Sequence, residues 1–190
     1  MSIDSSIVRT LNTWGEQHKS LVHLCSNDFV YLVVLISVGW FAMRILKTHP
    51  LSAGWKDSIA GFLIKGIVVF AIPVGIAIVI SEGISRLYVR PRPFVADPTV
   101  KLLVPHAADG GMPSHHIAFM MTLVISVYFY DRRIAAILAL LTLFTGIARI
   151  AAGIHYPSDI LAGAALGVAI VYLYRWALVK FSSEKQLALD

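Results

Sequence analysis

The chain has 190 residues, of which 57% are hydrophobic and only 14% are charged, and its mean hydropathy is +0.75. A soluble domain normally carries about a quarter charged residues, so this composition excludes a soluble protein and predicts a polytopic membrane protein with a single domain, 1–190. The net charge of +5 lies in short loops between apolar segments. That placement is typical of membrane topology and of contact with anionic lipid headgroups, and it argues against nucleic acid as a partner.

The first 28 residues mix apolar and polar side chains, with Ile3, Ile7 and Leu11 at helical spacing. This pattern predicts either an amphipathic helix at the membrane interface or a poorly hydrophobic helix that enters the membrane. No basic segment is followed by an apolar core, so we expect no cleaved signal peptide. Cys25 is the only cysteine, which excludes an internal disulfide.

Five apolar segments follow, and each is typical of a transmembrane helix: 29–43, 58–81, 117–130, 134–148 and 160–179. Together with the N-terminal segment they predict an all-α fold, a polytopic transmembrane helical bundle. Pro73 should kink the second span, and Gly163 and Gly167 should let a neighbouring helix approach the fifth span closely. Several segments are shorter than the roughly 20 residues that a bilayer requires, so we expect their polar ends to meet in a site near one membrane face.

The loops between these spans differ in charge. One side receives eight basic residues and is therefore assigned to the cytoplasm: Arg44, Lys47, Lys56, Arg132, Arg133, Arg175, Lys180 and Lys185. The other side receives the loops 82–116 and 149–159. Positive charge in the first of these loops departs from the usual rule, and a bound phosphate would account for it.

The loop 149–159 carries an arginine, a histidine and a carboxylate, which are costly near lipid. Pro157 suits the first position of a helix, which would place Asp159 in the first turn and His155 just before it. A carboxylate on one imidazole nitrogen fixes the tautomer and leaves the other nitrogen free to attack, while Arg149 can hold the oxyanion of the group attacked. The spacing favours a nucleophilic histidine that acts on phosphate.

Two further motifs lie in the long loop, Arg90-Pro91-Arg92-Pro93 and Pro113-Ser114-His115-His116. Pro113, like Pro157, suits the start of a helix, so two helix N-termini would direct free N–H groups at one anion. The three motifs, in this order, resemble those of the type 2 phosphatidic acid phosphatase family, the membrane branch of the vanadium haloperoxidase superfamily, over residues 80–165. The resemblance implies roles for six residues: His155 as nucleophile, Asp159 as its orienting carboxylate, His116 as general acid, Arg92 and Arg149 as phosphate ligands, and Ser114 as a donor to phosphate.

The chain departs from the family pattern at three positions. Ser85 stands where the family has a lysine, His115 replaces a glycine, and Ala148 replaces a serine. Arg86 or Arg90 is a candidate to supply the missing positive charge at the phosphate. His115 is a further candidate for a phosphate contact, and its presence leaves open which histidine of the pair is the acid, although the register favours His116.

The segment 106–109 resembles the bacterial undecaprenyl diphosphate phosphatase subgroup. This resemblance implies a lipid phosphatase of the bacterial cytoplasmic membrane that needs no cofactor or metal, acts on a polyprenyl diphosphate, and faces the extracytoplasmic side. Phosphatidylglycerophosphate or phosphatidic acid phosphatase is the alternative within the same class, and a non-catalytic lipid-phosphate binder or flippase is an alternative of another class. A metal held by His116, His155 and Asp159 is disfavoured because the nearby arginines would repel a cation, and a haem protein because haem ligands would lie on facing helices. The oligomeric state stays open.

Overall fold

The computed structural model describes residues 3–48, 60 and 63–187. Every regular element in this part of the chain is helical, which confirms the all-α class. The helices are α1 (Ile3–Gln17), α2 (Lys19–His23), α3 (Phe29–Thr48), α4 (Ile72–Leu87), α5 (Pro93–Ala96), α6 (His115–Tyr128), α7 (Arg132–Ala151) and α8 (Pro157–Leu187). π-helical turns precede α3 at Leu24–Asp28 and α4 at Ile67–Ala71. The predicted basic loop after the first span, with Lys56, lies outside the described residues.

Among the described residues, four helical segments are long and apolar enough to cross a membrane: Lys19–Lys47, Leu63–Leu87, Arg132–Ala151 and Pro157–Phe181. Helix α6 is a shorter apolar helix. Each of these five overlaps one of the five predicted spans, and the second runs to Leu87 rather than ending at residue 81. The first begins at Lys19 rather than at residue 29, because polar residues there are held in helical conformation by packing: Cys25 and Ser26 are buried, and their π-helical turn packs against α7.

Helix α6 lies at the centre of the bundle and packs against α3, α4, α7 and α8. Its 14 residues span about 21 Å, less than a bilayer core. Because four helices surround it, it meets lipid over little of its surface. The main apolar core forms around it from Val33, Trp40, Phe41, Ile45, Met120, Leu123, Val124, Val127, Ala135 and Leu138.

Helix α8 contains the fifth predicted span, and α6 is the helix that approaches its glycines closely, as predicted. A Cβ atom added to Gly163 would lie 2.6 Å from the Ser114 carbonyl oxygen, and one added to Gly167 would lie 2.6 Å from that of Ala118. Neither position leaves room for a side chain. A π-helical turn, Ile67–Ala71, ends two residues before Pro73, and α4 begins between them at Ile72. The kink predicted at Pro73 stays a prediction.

The two ends of the bundle differ in chemistry. At one end Arg44, Arg132 and Arg175 lie over the aromatic rings of 128–130. At the other end the loop 88–114 folds back over α1 and the turn after α7. Buried Asn12 holds these together, because its side chain donates to the carbonyls of Lys101 and Ala151 and accepts from the Lys101 amide.

Candidate active site

Three chain segments meet at the loop-covered end: the segment before α5, the segment before α6, and the turn between α7 and α8. Helix α8 begins at Pro157, as predicted. Helix α6 begins at His115 rather than at Pro113, with Ser114 as the residue before it, which corrects the expectation for that proline. The Ser114 amide donates to the Asp159 carbonyl over 3.1 Å, so the two helix N-termini are in contact.

A cavity of about 100 Å³ lies between these segments. Its volume corresponds to a few water molecules or to one phosphoryl group. Nine residues line it: Arg92, His106, Asp109, Gly110, Pro113, His115, His116, Arg149 and His155. The part of the chain that the structure describes holds no group of three or more His, Cys, Asp or Glu residues placed to bind a metal ion.

His155 is 2% exposed, and its two ring nitrogens have different neighbours. Nε2 lies 3.3 Å from the Ser114 hydroxyl and 3.4 Å from Nη1 of Arg92. Nδ1 lies 3.6 Å from Oδ2 of Asp159 and has no hydrogen-bond partner among the described residues. Burial lowers the pKa of His155 well below its ordinary value, and the charges of Arg149 and Arg92 lower it further. The imidazole is therefore neutral at pH 7, and Nδ1–H directed at Asp159 would leave the Nε2 lone pair on the Arg92 side.

Asp159 is fully buried and is held from two directions. Its Oδ2 accepts from the Tyr156 amide over 2.8 Å, and its Oδ1 accepts from Nη1 of Arg90 over 2.7 Å. The hydrogen bond from the Tyr156 amide follows from the position of Asp159 in the first turn of α8, where backbone N–H groups have no partner within the helix. These contacts keep the carboxylate beside Nδ1 of His155.

Two guanidinium groups are buried at the cavity. Arg149, 1% exposed, donates to the Ser26 carbonyl over 3.3 Å and to Nε2 of His106 over 3.2 Å. Its Nε has no hydrogen-bond partner among the described residues, and none of their carboxylates forms an ion pair with it. Arg92, 4% exposed, donates to the Ile154 carbonyl and pairs with Asp109 over 2.7 Å. A buried charge without a counter-ion is costly, so this cavity favours an anion.

Asp109 is the one acidic residue among those lining the cavity, and its side chain is 61% exposed. Burial alone would raise its pKa, but the hydrogen bond and the charge of Arg92 outweigh burial and hold the pKa below its ordinary value. The carboxylate is therefore ionised and partly neutralises Arg92.

His106 also lines the cavity, although the sequence does not indicate it as a site residue beyond its place in the segment 106–109. Its ring lies 6.3 Å from the His155 ring, and its Nδ1 lies 3.2 Å from the Ala107 carbonyl. Burial and the charge of Arg92 lower its pKa, so a neutral ring can donate from Nδ1 and accept from Arg149 at Nε2. Its position depends on how the loop folds back, which no spacing in the sequence indicates.

The structure does not bring Arg86 or Arg90 to the cavity, and this corrects the expectation that one of them supplies the missing lysine charge there. Arg86 is exposed and pairs with Glu82 one helical turn away, over 2.7 Å. Arg90 faces Asp4 and Asp159 instead. Ser85, at the lysine position, is buried and donates to the Gly110 carbonyl over 3.1 Å, so it fixes the loop that carries Asp109.

Both histidines of the pair line the cavity. Nδ1 of His115 lies 3.7 Å from Glu82, while its Nε2 is buried and has no hydrogen-bond partner in the described chain. The geometry therefore places either ring where it can exchange a proton with a bound group.

Comparisons with known proteins identify the family of the chain. The model of the PAP2 superfamily matches residues 66–182. The chain is 41% identical over 144 residues to undecaprenyl-diphosphatase BcrC of Bacillus subtilis (strain 168), a match that covers 76% of this chain and 65% of that protein, slightly less than two thirds of its length.

Two solved structures share the fold. The crystal structure of Aquifex aeolicus LpxE has a TM-score of 0.64 at 19% identity, covering 92% of this chain and 95% of that one. A PAP2-type phosphatidylglycerolphosphate phosphatase from Bacillus subtilis has a TM-score of 0.58 at 18% identity, covering 93% of this chain and 85% of that one. With the family match over residues 66–182, these findings establish that the chain belongs to the PAP2 superfamily.

Proposed function

We propose that the protein is a metal-independent lipid phosphatase that converts undecaprenyl diphosphate to undecaprenyl phosphate and inorganic phosphate. The observation that carries the proposal is the pair of buried guanidiniums, Arg92 and Arg149, beside the neutral and buried His155. Such donors, fixed around a small cavity, stabilise the charge on a phosphoryl group as it is transferred.

The reaction follows from the two sides of His155. Nε2 attacks the terminal phosphorus and the bond from phosphorus to the bridging oxygen breaks. The lipid monophosphate leaves with a proton from the imidazolium form of His116, which the negative charge of the bound substrate favours. The Asp159 carboxylate, whose Oδ2 lies 3.6 Å from Nδ1, stabilises the positive charge that develops on the ring. Water then attacks the phosphohistidine while His116 takes its proton, which releases inorganic phosphate and restores the free imidazole.

A diphosphate is the favoured substrate because the relative at 41% identity is named as an undecaprenyl-diphosphatase. The cavity has room for one phosphoryl group, which suits the terminal phosphate of a diphosphate and of a monophosphate alike. Phosphatidylglycerophosphate and phosphatidic acid remain the alternatives within the class. A non-catalytic lipid-phosphate binder would have no use for a carboxylate that orients a buried histidine.

The first test is chemical. His155→Ala should abolish turnover of a prenyl diphosphate while the protein still inserts and folds, because no other imidazole occupies the position of the nucleophile. The wild type should retain activity in chelator. Near-normal turnover in the variant, or activity lost in chelator and restored by a divalent cation, would refute the phosphohistidine mechanism.

The second test uses the leaving group. A diphosphate expels a phosphate ester, which departs with little help, whereas a monoester expels an alkoxide that needs a proton. His116→Asn should therefore slow single-turnover phosphohistidine formation less on a prenyl diphosphate than on a lipid monophosphate. Equal losses on both substrates would remove His116 from the role of acid, and a larger loss in His115→Gly would transfer that role to His115.

We further propose that the protein lies in a bacterial cytoplasmic membrane with the cavity on the extracytoplasmic side. The support is the arginine-rich end of the bundle opposite the cavity, which the positive-inside rule assigns to the cytoplasm. In a Cys25→Ser background, an impermeant thiol reagent should label Gln17→Cys, which is exposed at the cavity end, in intact spheroplasts. Arg133→Cys should react only after lysis, and the opposite pattern would invert the topology.

A further inference from the structure

An acidic residue of the N-terminal helix reaches the site through Arg90. Asp4 lies in the first turn of α1, and its Oδ2 accepts from Nη2 of Arg90 over 2.9 Å. The same oxygen accepts from the Ser158 hydroxyl, and Oδ1 accepts from the Ser158 amide over 3.3 Å. Asp4 thus joins α1 to Arg90 and to the first turn of α8.

Arg90 divides its guanidinium between two carboxylates. Nη1 donates to Oδ1 of Asp159 over 2.7 Å and to the Ser158 hydroxyl over 2.6 Å, while Nη2 donates to Asp4. The Tyr156 ring lies against the guanidinium, 4.1 Å from its central carbon. A planar guanidinium that is held at its two terminal nitrogens and on one face has little freedom to rotate.

The orientation of Asp159 depends on this arrangement. One carboxylate oxygen is held by Arg90, and the other accepts from the Tyr156 amide and faces Nδ1 of His155 at 3.6 Å. Nδ1 has no other partner among the described residues. If Arg90 turns away, Asp159 loses one of its two fixed contacts, and the carboxylate can rotate away from the imidazole.

We propose that Asp4 is a positioning residue of this site, which acts through Arg90 and Asp159 to keep His155 oriented for attack. The role rests on the proposed function, since it requires His155 to be the nucleophile. In the described chain Asp4 forms hydrogen bonds with Arg90 and Ser158, neither of which lines the cavity, so its loss should lower kcat while KM stays unchanged. A small misplacement of a reacting group costs about tenfold to a hundredfold in rate, and we expect a kcat loss of that size for Asp4→Asn.

A simpler role for Asp4 would be to hold α1 on the bundle. Two other ion pairs tie the same helix to the same loop without reaching the site: Arg9 with Asp97 over 2.7 Å, and Glu16 with Lys101 over 2.7 Å. Arg9→Gln is therefore a matched control, because it removes one docking ion pair of α1 and leaves Arg90 untouched.

The experiment measures single-turnover phosphohistidine formation and steady-state kcat and KM on a prenyl diphosphate with a labelled terminal phosphate, per amount of folded full-length protein. Asp4→Asn should lose kcat about tenfold to a hundredfold with KM unchanged. Asp4→Glu should recover most of the rate because it keeps the charge. Arg9→Gln should match the wild type.

A second single variant, Arg90→Lys, keeps the test decisive if Asp4→Asn folds poorly. It keeps one charge but cannot bind two carboxylates at once, so it should show the same loss of kcat. Where Asp4→Asn folds, adding it to Arg90→Lys should cost little more, because the two residues act in series. Full additivity, equal losses in Asp4→Asn and Arg9→Gln, or a wild-type rate in Asp4→Asn would each overturn the positioning role alone. A wild-type protein that forms no phosphohistidine at His155 would overturn the proposed function and this role together.

Discussion

Replacing Arg149 by methionine should separate activity from stability. The change removes two guanidinium hydrogen bonds of 3.2 and 3.3 Å, and at the low end of the range for charged donors this costs about 3 kcal/mol. It also removes a 1% exposed charge that has no carboxylate partner in the described chain, and relief of its desolvation returns several kcal/mol. We expect the two effects to cancel, so that the free energy of unfolding without ligand changes by less than about 2 kcal/mol.

Activity should respond very differently. Loss of one preorganised donor to a transferring group costs about 2.7 to 4 kcal/mol, or about a hundredfold to a thousandfold in kcat/KM. Inorganic phosphate at a hundred times its dissociation constant should stabilise the wild type by about 2.7 kcal/mol and should not stabilise the variant. Thermal unfolding of detergent-solubilised protein, with and without phosphate, measures the stability and its response to phosphate, and steady-state kinetics measures kcat/KM.

Arg86→Met is the control, because Arg86 is exposed and outside the cavity. It should keep both the activity and the phosphate response of the wild type. An Arg149→Met variant that still responds to phosphate, or that keeps kcat/KM within about tenfold, would show that Arg149 does not bind the transferred group.

Three further results are expected. Gly167→Ala should lower the free energy of unfolding by about 1 to 3 kcal/mol because its Cβ would lie 2.6 Å from a carbonyl oxygen of α6. Gly75→Ala, whose Cβ would meet nothing within 4 Å, should be neutral or stabilising, and equal effects would contradict this packing. Because the pKa of native His155 is depressed below that of the unfolded chain, the stability that its neutral form contributes is complete above about pH 6.5 and is lost as the pH falls below that value. His155→Asn should therefore flatten the decline of the unfolding temperature in that range, and an unchanged decline would contradict the depressed pKa. Ser85→Lys should reduce kcat/KM by about tenfold or more, since the new side chain would displace the Gly110 carbonyl that Ser85 and Arg92 share, and a gain in activity would refute this.

Hydropathy was sufficient to predict five spans, because an apolar run marks both the four helices that face lipid and the central α6, which is buried among them. It could not place the start of the first span. The segment from Lys19 to Asp28 is polar in composition and becomes helical only where buried contacts to α7 compensate. Helix α6 was predicted although it is short, since most of its residues are apolar. A helix shorter than the bilayer core is accommodated here because four other helices surround it, and the sequence does not show that packing.

Four of the six residues that follow family motifs line the cavity, because their motifs lie at the same end of the bundle: Arg92, His116, Arg149 and His155. Their roles stay predictions. The sequence does not predict the direction in which an arginine side chain points. Arg90 and Arg92 are two residues apart, yet one faces Asp159 and the other faces the cavity. The part played by Asp4 depends on a contact between the first turn of α1 and that of α8, and a pair so distant in sequence leaves no local pattern.

The ion pair between Arg92 and Asp109 gives the free cavity a resident anion of its own. An entering phosphate has to separate a buried guanidinium from a carboxylate that is 61% exposed and close to water. Because the carboxylate is accessible to water, separating this pair costs less than separating a fully buried one. Under the proposed function, Asp109 would therefore compete for Arg92 with the phosphate product as well as with the substrate, and this competition would favour release of phosphate between turnovers.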